Sequence, residues 1–139
     1  MADTTVVTSA GQFDVATLVQ TQLINCTMHL FQQNLLPTPT PTSPLSDFQA
    51  AEADYDGYAA ATITAWQAPV LFGNAWAIYA PTQTFRWTFA TGVGNTIGGY
   101  WIQTAGGDLK DFTVFNPPEV LAAAGQAIIR TPVEVFPWG

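Results

Sequence analysis

The chain predicts an all-β fold: an antiparallel β-sandwich, jelly-roll-like, of about eight short strands with one short helix. Three observations lead there. Short stretches alternate apolar and polar residues with the period of two that half-buried strands require. Turn residues punctuate the chain at intervals of roughly 8–12 residues, as in sandwiches and barrels. Only one segment, near Ser46, carries the start signal of a helix. At 139 residues the chain is the size of one domain. We divide it into an N-terminal arm and edge segment, residues 1–22, and a single β-sandwich domain, residues 23–139.

Residues 1–12 are polar and read as an arm. Residues 13–22 carry Phe13, Val15, Leu18 and Val19 without a clean period. An edge strand at Phe13–Val15 and a helical turn at Ala16–Leu23 both remain open. From Ile24 the alternation is clear, with Ile24, Cys26, Met28 and Leu30 on one side and Asn25, Thr27, His29 and Phe31 on the other. Pro37, Pro39, Pro41 and Pro44 then favour an extended, polyproline-like surface connection. Ser46 followed by Gln49 fits a capping box for a helix from about Asp47 to Ala53, with Phe48 and Ala51 facing inward. Gly57 closes an acidic turn in which it takes positive φ.

Alternation resumes from Tyr58 to Trp66, and Val70–Phe72 and Trp76–Ala80 continue the β pattern around a Gly73-Asn74 turn. Phe85, Trp87 and Phe89 alternate with Thr84, Arg86 and Thr88. Thr96–Thr104 and Leu109–Phe115 flank a Gly-Gly hairpin turn, and Asn116-Pro117-Pro118 should break the second of them. Gly98 and Gly99 suit a bulge or the close approach of a large aromatic rather than a phosphate cradle, which needs a strand-loop-helix context. The tail supplies Ala127–Thr131 and Val133–Phe136. Phe85, Trp87, Phe89 and Trp101 are expected to fill the space between the sheets.

Composition narrows the function. Charged residues are 9% of the chain, well below the roughly 25% usual in soluble domains. Such a surface is weakly hydrated and weakly self-repelling, which suits contact with other subunits; a sturdy Thr-rich β domain is the plainer reading. Net charge is −7, with Arg86, Lys110 and Arg130 the only basic residues. Three scattered cations cannot line a phosphate-binding groove, so nucleic acid is excluded as a partner, and the acidity opposes anionic lipid. The start has no basic n-region followed by an apolar run, so no secretory signal is expected. No apolar run reaches the length of a membrane span.

The chemistry-bearing residues are few. Cys26, the single cysteine, reads as a buried small hydrophobe and excludes an intrachain disulfide. His29 reads as exposed or simply hydrogen-bonded, without a second histidine or a carboxylate nearby in sequence. Asp47, Glu52, Asp54 and Asp56 form a solvated acidic turn, since only D-x-D-G of a calcium loop is present. No catalytic residues, cofactor or metal site are assigned, and the chain is expected not to be an enzyme. Trp66, Trp76 and Tyr100 are candidate stacking platforms if the domain binds carbohydrate, although aromatics on strands more often belong to a core.

Two pieces of sequence stand in a suggestive order. Leu30-Phe31-Gln32-Gln33-Asn34-Leu35 leads through Pro-Thr repeats to Leu45-Ser46-Asp47-Phe48 and Glu52-Ala53-Asp54-Tyr55-Asp56-Gly57-Tyr58-Ala59. Gly94-Asn95-Thr96-Ile97-Gly98-Gly99-Tyr100-Trp101 follows, before a Gly-Gly turn. From Leu30 to Phe115 this order resembles a loose group of small tailed-bacteriophage and prophage virion structural proteins of head-decoration or head-fibre type. Asp108-Leu109-Lys110-Asp111 is more charged than that group's usual sequence. The resemblance implies a capsid decoration or head accessory protein, made in the bacterial host cytoplasm and assembled onto the virion. Its partners would be the major capsid protein or other virion subunits, with a homo-oligomer compatible. The alternative expectation is a carbohydrate-binding β-sandwich module, the receptor- or glycan-binding part of a virion.

Overall fold

A computed structural model describes residues 8–88, 95–122 and 125–137. Among these, nine strands and two helices form an antiparallel, mostly β fold. Strands β1 (Cys26–Gln32), β2 (Ala61–Ile63), β6 (Thr96–Gln103) and β7 (Leu109–Val120) build a four-stranded sheet in the order β2-β1-β6-β7. Opposite it lie a three-stranded sheet, β3-β4-β9 (Val70–Phe72, Ala75–Tyr79 and Val133–Pro137), and a two-stranded one, β5-β8 (Gln83–Arg86 and Ala127–Arg130). The all-β antiparallel sandwich expected from the pattern is what forms.

The main core fills the space between these layers. Cys26, Met28 and Leu30 enter it from β1, Ile97, Tyr100 and Ile102 from β6, and Ile78, Phe85 and Ile128 from the facing strands. Trp87 joins them, as predicted; Phe89 lies outside the described residues. Trp101 is a correction. Its register partners are His29 and Phe112, so it points to the other side of the four-stranded sheet, where it is buried with Phe31, Phe48 and Ala51. Burying each large aromatic there contributes about 2–3 kcal/mol. Strand β6 is thus apolar on both faces, as a central strand must be.

Gly99 is where the two layers of this packing meet. A Cβ there would stand 1.9 Å from the Thr113 carbonyl oxygen and 2.8 Å from the Phe31 ring. The expected close approach of a large aromatic is therefore real, and Phe31 is the ring. The Gly106-Gly107 hairpin also forms, with Gly107 at φ +96°.

Several boundaries differ from expectation. Residues 9–22 form helix α1 (Ser9–Gln22), not an edge strand; the Thr8 hydroxyl caps it, accepting from Gly11 N–H at 3.2 Å, worth about 1 kcal/mol. Asn25 at φ +58° then turns the chain into β1 and leaves Ile24 exposed. Helix α2 runs Leu45–Ala50 with Pro44 at its N-cap and no side-chain cap bond, so the capping box at Ser46 does not form. Phe48, one turn in, is buried as expected and fixes the helix against the sheet. The proline segment folds through a turn, Ser43 N–H to the Thr40 carbonyl at 2.9 Å, rather than running extended. Strand β2 ends at Ile63, after which Ala65 is exposed and Trp66 buried. Strand β7 runs on through Pro117 and Pro118, but its pairing with β6 jumps from Val114 to Glu119, so the prolines interrupt the ladder as a bulge without ending the strand.

Candidate functional site

The segment after α2 pairs with the end of β1: Gln32 N–H donates to the Ala51 carbonyl at 2.8 Å, and Ala53 N–H to that of Leu30 at 3.0 Å. This pairing carries Glu52 to His29. Glu52 Oε2 lies 2.6 Å from His29 Nδ1 and accepts from the Tyr58 hydroxyl at 2.6 Å. The Tyr58 oxygen in turn accepts from Leu30 N–H at 3.1 Å. His29 Nε2 meets the Thr27 hydroxyl at 2.8 Å, and its ring stacks on Trp101, centroids 4.6 Å apart and 7° from parallel. Burial, followed by the Glu52 hydrogen bond, pushes the Tyr58 phenol well above its ordinary range.

Both histidine nitrogens are therefore engaged and one ring face is covered. With Nδ1–H donating to the Glu52 carboxylate, Nε2 accepts from the Thr27 hydroxyl, a hydroxyl–imidazole–carboxylate chain that ties β1 to the 52–58 segment. Neither of two surface depressions touches it. One, about 290 Å³, is lined by Pro41 and Leu109–Phe112; the other, about 390 Å³, by Gln22, Thr104 and residues 108–110. They flank Lys110, whose ammonium donates to Gln22 Oε1 at 3.3 Å.

The acidic turn does not converge. Glu52 serves His29 and Tyr58, while Asp54 Oδ1 accepts from Asn95 Nδ2 at 3.1 Å. Asp56 takes Thr88 N–H on its backbone carbonyl at 3.1 Å. Among the described residues no three His, Cys, Asp or Glu side chains stand close enough together to hold a metal ion. Cys26 is buried, its Sγ accepting from Trp66 Nε1 at 3.4 Å, and burial raises its pKa.

The three rings proposed for sugar stacking are placed elsewhere. Trp66 and Tyr100 are core residues, 4% and 6% exposed. Trp76 is half-buried, edge-on to Phe13 at 5.0 Å, with its Nε1 donating to the Ser9 carbonyl at 3.0 Å. Strand pattern marks an aromatic as lying on a face but not which face the next layer covers. Trp66 and Tyr100, buried to this degree, offer no platform to a sugar.

The surface feature that sequence reading missed is one face of the β3-β4-β9 sheet. Val70 pairs with Ala77 and Ala77 with Val135; Phe72 pairs with Ala75, and Tyr79 with Val133. Cross-strand partners share a face, so these seven side chains lie together. The opposite face presents Trp76, Phe136 and Ile78 to α1 and the core. On the outward face Phe72 is 64% exposed, Val135 49%, Val70 43% and Val133 41%. Ala75 and Ala77 lie between them, buried but outside both core clusters. Glu134, the one charged residue of the three strands, pairs with Ile78 and so belongs to the other side. The face is wholly uncharged. No signal short of the register reveals it, because Val70–Phe72 is a short apolar run whose companions on β9 lie far along the chain.

No helix among the described residues is long and apolar enough to cross a membrane. Comparison with known protein families, with characterised proteins and with solved structures found no match for this chain.

Proposed function

We propose that the chain is a non-enzymatic structural protein of a tailed-bacteriophage virion, a head-decoration or head-accessory subunit that binds the shell through protein–protein contact. The observation that carries this reading is the uncharged outward face of β3-β4-β9. Contiguous exposed apolar surface on a small domain marks a place where another polypeptide sits. The low charge of the whole chain supports the same conclusion, since a weakly hydrated surface is easily desolvated on assembly. The order of motifs from Leu30 to Phe115 supports the virion assignment in particular. On this reading the protein is made in the bacterial cytoplasm and joins particles there, its partners being the major capsid protein or other virion subunits.

Mass spectrometry of density-gradient-purified particles tests it. The chain should be present at a fixed copy ratio to the main shell protein, and its absence from intact particles would remove the reading.

A further inference from the structure

We propose that Thr27 and Gln103 are the site of a self-formed ester, a covalent cross-link between β1 and β6. The two residues are register partners, so their side chains leave the same face of the sheet with Cβ atoms about 5 Å apart. An ester between the Thr27 hydroxyl and the Gln103 carboxamide carbon is long enough to span that gap.

A threonine hydroxyl is a weak nucleophile until a base takes its proton. Here Thr27 Oγ1 lies 2.8 Å from His29 Nε2. Glu52 Oε2, 2.6 Å from Nδ1, fixes the tautomer that leaves Nε2 as the base. The Tyr58 hydroxyl holds that carboxylate, and Trp101 stacks on the imidazole. The electrophile is prepared from its other side. Trp101 Nε1 donates to Gln103 Oε1 at 3.3 Å, and so stabilises the charge that collects on this oxygen when the carbonyl is attacked. An indole N–H can only donate, so the same bond fixes the amide orientation and leaves the nitrogen as the departing end.

In the reaction Thr27 Oγ1 adds to Gln103 Cδ while its proton passes to His29 Nε2. The adduct collapses by cleavage of Cδ–Nε2, and the nitrogen leaves as ammonia with the proton that His29 returns. No metal, oxidant or second molecule enters the balance, and dilution of ammonia into solvent carries the exchange forward. Thr27, His29 and Gln103 are half-buried, which restricts the access of water to the ester. This is a single self-reaction without turnover. It goes beyond the structural role proposed above and does not depend on it.

Intact-mass spectrometry of the purified, folded, full-length chain, followed over time at neutral pH, reads the reaction directly. The expected product is lighter by one ammonia. Peptide mapping should join the peptide of Thr27 to that of Gln103, and hydroxylamine, which cleaves esters and spares amides, should part them. Thr27→Ser keeps the hydroxyl and should still react, whereas Thr27→Val should hold the full mass. His29→Gln should slow the loss at least about 100-fold. Glu52 acts through His29 as a positioning residue, and Glu52→Gln should slow the loss about tenfold or more while the circular-dichroism spectrum stays that of the parent. A folded parent chain that keeps its full mass overturns the proposal. So does ammonia loss that maps to another amide or persists in a folded Thr27→Val; if that variant does not fold, the mapping of the parent decides. Failure of the cross-link leaves the virion reading standing, and absence from particles leaves the cross-link standing.

Discussion

His29 Nδ1 lies 2.6 Å from Glu52 Oε2, although the two residues belong to segments separated by the proline turn and helix α2. The same carboxylate oxygen accepts a hydrogen bond from the Tyr58 hydroxyl, and the Tyr58 oxygen accepts one from Leu30 N–H. Glu52 therefore binds β1 to the chain on both sides of the acidic turn. Its side chain is 31% exposed and that of His29 15%, so water competes only partly.

Removing that carboxylate should loosen the whole segment. Glu52→Ala leaves the Tyr58 hydroxyl and His29 Nδ1 without their acceptor in a partly buried place, and should cost about 1–3 kcal/mol. Glu52→Gln can still accept from Tyr58 and should cost less. Urea unfolding of both variants, with His29→Ala and the double variant to complete a cycle, measures the coupling. A coupling near zero would show that the pair is incidental.

Gly99→Ala should be among the most damaging small substitutions in the chain. The added methyl meets the Thr113 carbonyl oxygen at 1.9 Å, and a backbone atom held in the β6–β7 ladder cannot step aside. A loss of about 3 kcal/mol or more follows. Gly107→Ala has open space around it but sits at φ +96°, so only conformational cost applies, about 1 kcal/mol. Thermal midpoints of the two variants should separate clearly, with Gly99→Ala far lower.

Much of this architecture is legible in the sequence because strand burial and strand period are the same signal. Cys26, Met28 and Leu30 alternate and are buried; the Gly-Gly hairpin between β6 and β7 announces itself. Helix α1 is not legible in that way. It docks through Phe13 against Trp76 and through Ala16, Val19 and the capping Leu23, while Val15 and Leu18 stay exposed, so apolar residues fall on both of its sides and no clean stripe is written along it. The His29–Glu52 pair and the outward face are invisible for a different reason. Both are made by register between distant segments, and period alone gives the face of a strand but not its neighbour. Trp101 shows the same limit, since a central strand buries both faces and its pattern does not say which cluster a ring joins.

Asp111 gives the fold a pH dependence of unusual sign. Its register partner is Ile102, so it faces the main core; Oδ2 is buried without a hydrogen-bond partner, and burial, opposed by nearby Lys110, raises its pKa to about 6. An unfolded chain ionises this group near its ordinary value of about 4. Below that value both states hold the proton and ionisation of the site costs nothing. As pH rises from about 4 to about 6, the unfolded state releases the proton while the folded state retains it, and stability falls. Asp111→Asn, which never ionises, should therefore gain about 1–2 kcal/mol over the parent at neutral pH, after allowance for partial solvent screening, and little at pH near 4. Urea titrations of parent and variant at the two pH values check this, and an equal difference at both would mean that ionisation of Asp111 is not the cause.

Cys26 should report on global unfolding. Its sulfur lies in the main core against Trp66 Nε1, and burial raises the thiol pKa, lowering the fraction of reactive thiolate. Both effects act in the same direction, so a maleimide or a disulfide reagent should modify the folded chain orders of magnitude more slowly than the chain in denaturant. Cys26→Ala removes a buried polarisable atom and the acceptor of the indole N–H together, and should cost about 1–3 kcal/mol. Cys26→Ser keeps the size and an acceptor but buries a hydroxyl, so the two variants separate packing from hydrogen bonding. Labelling that is fast in native buffer would place the thiol at the surface and contradict the position of β1 in the core.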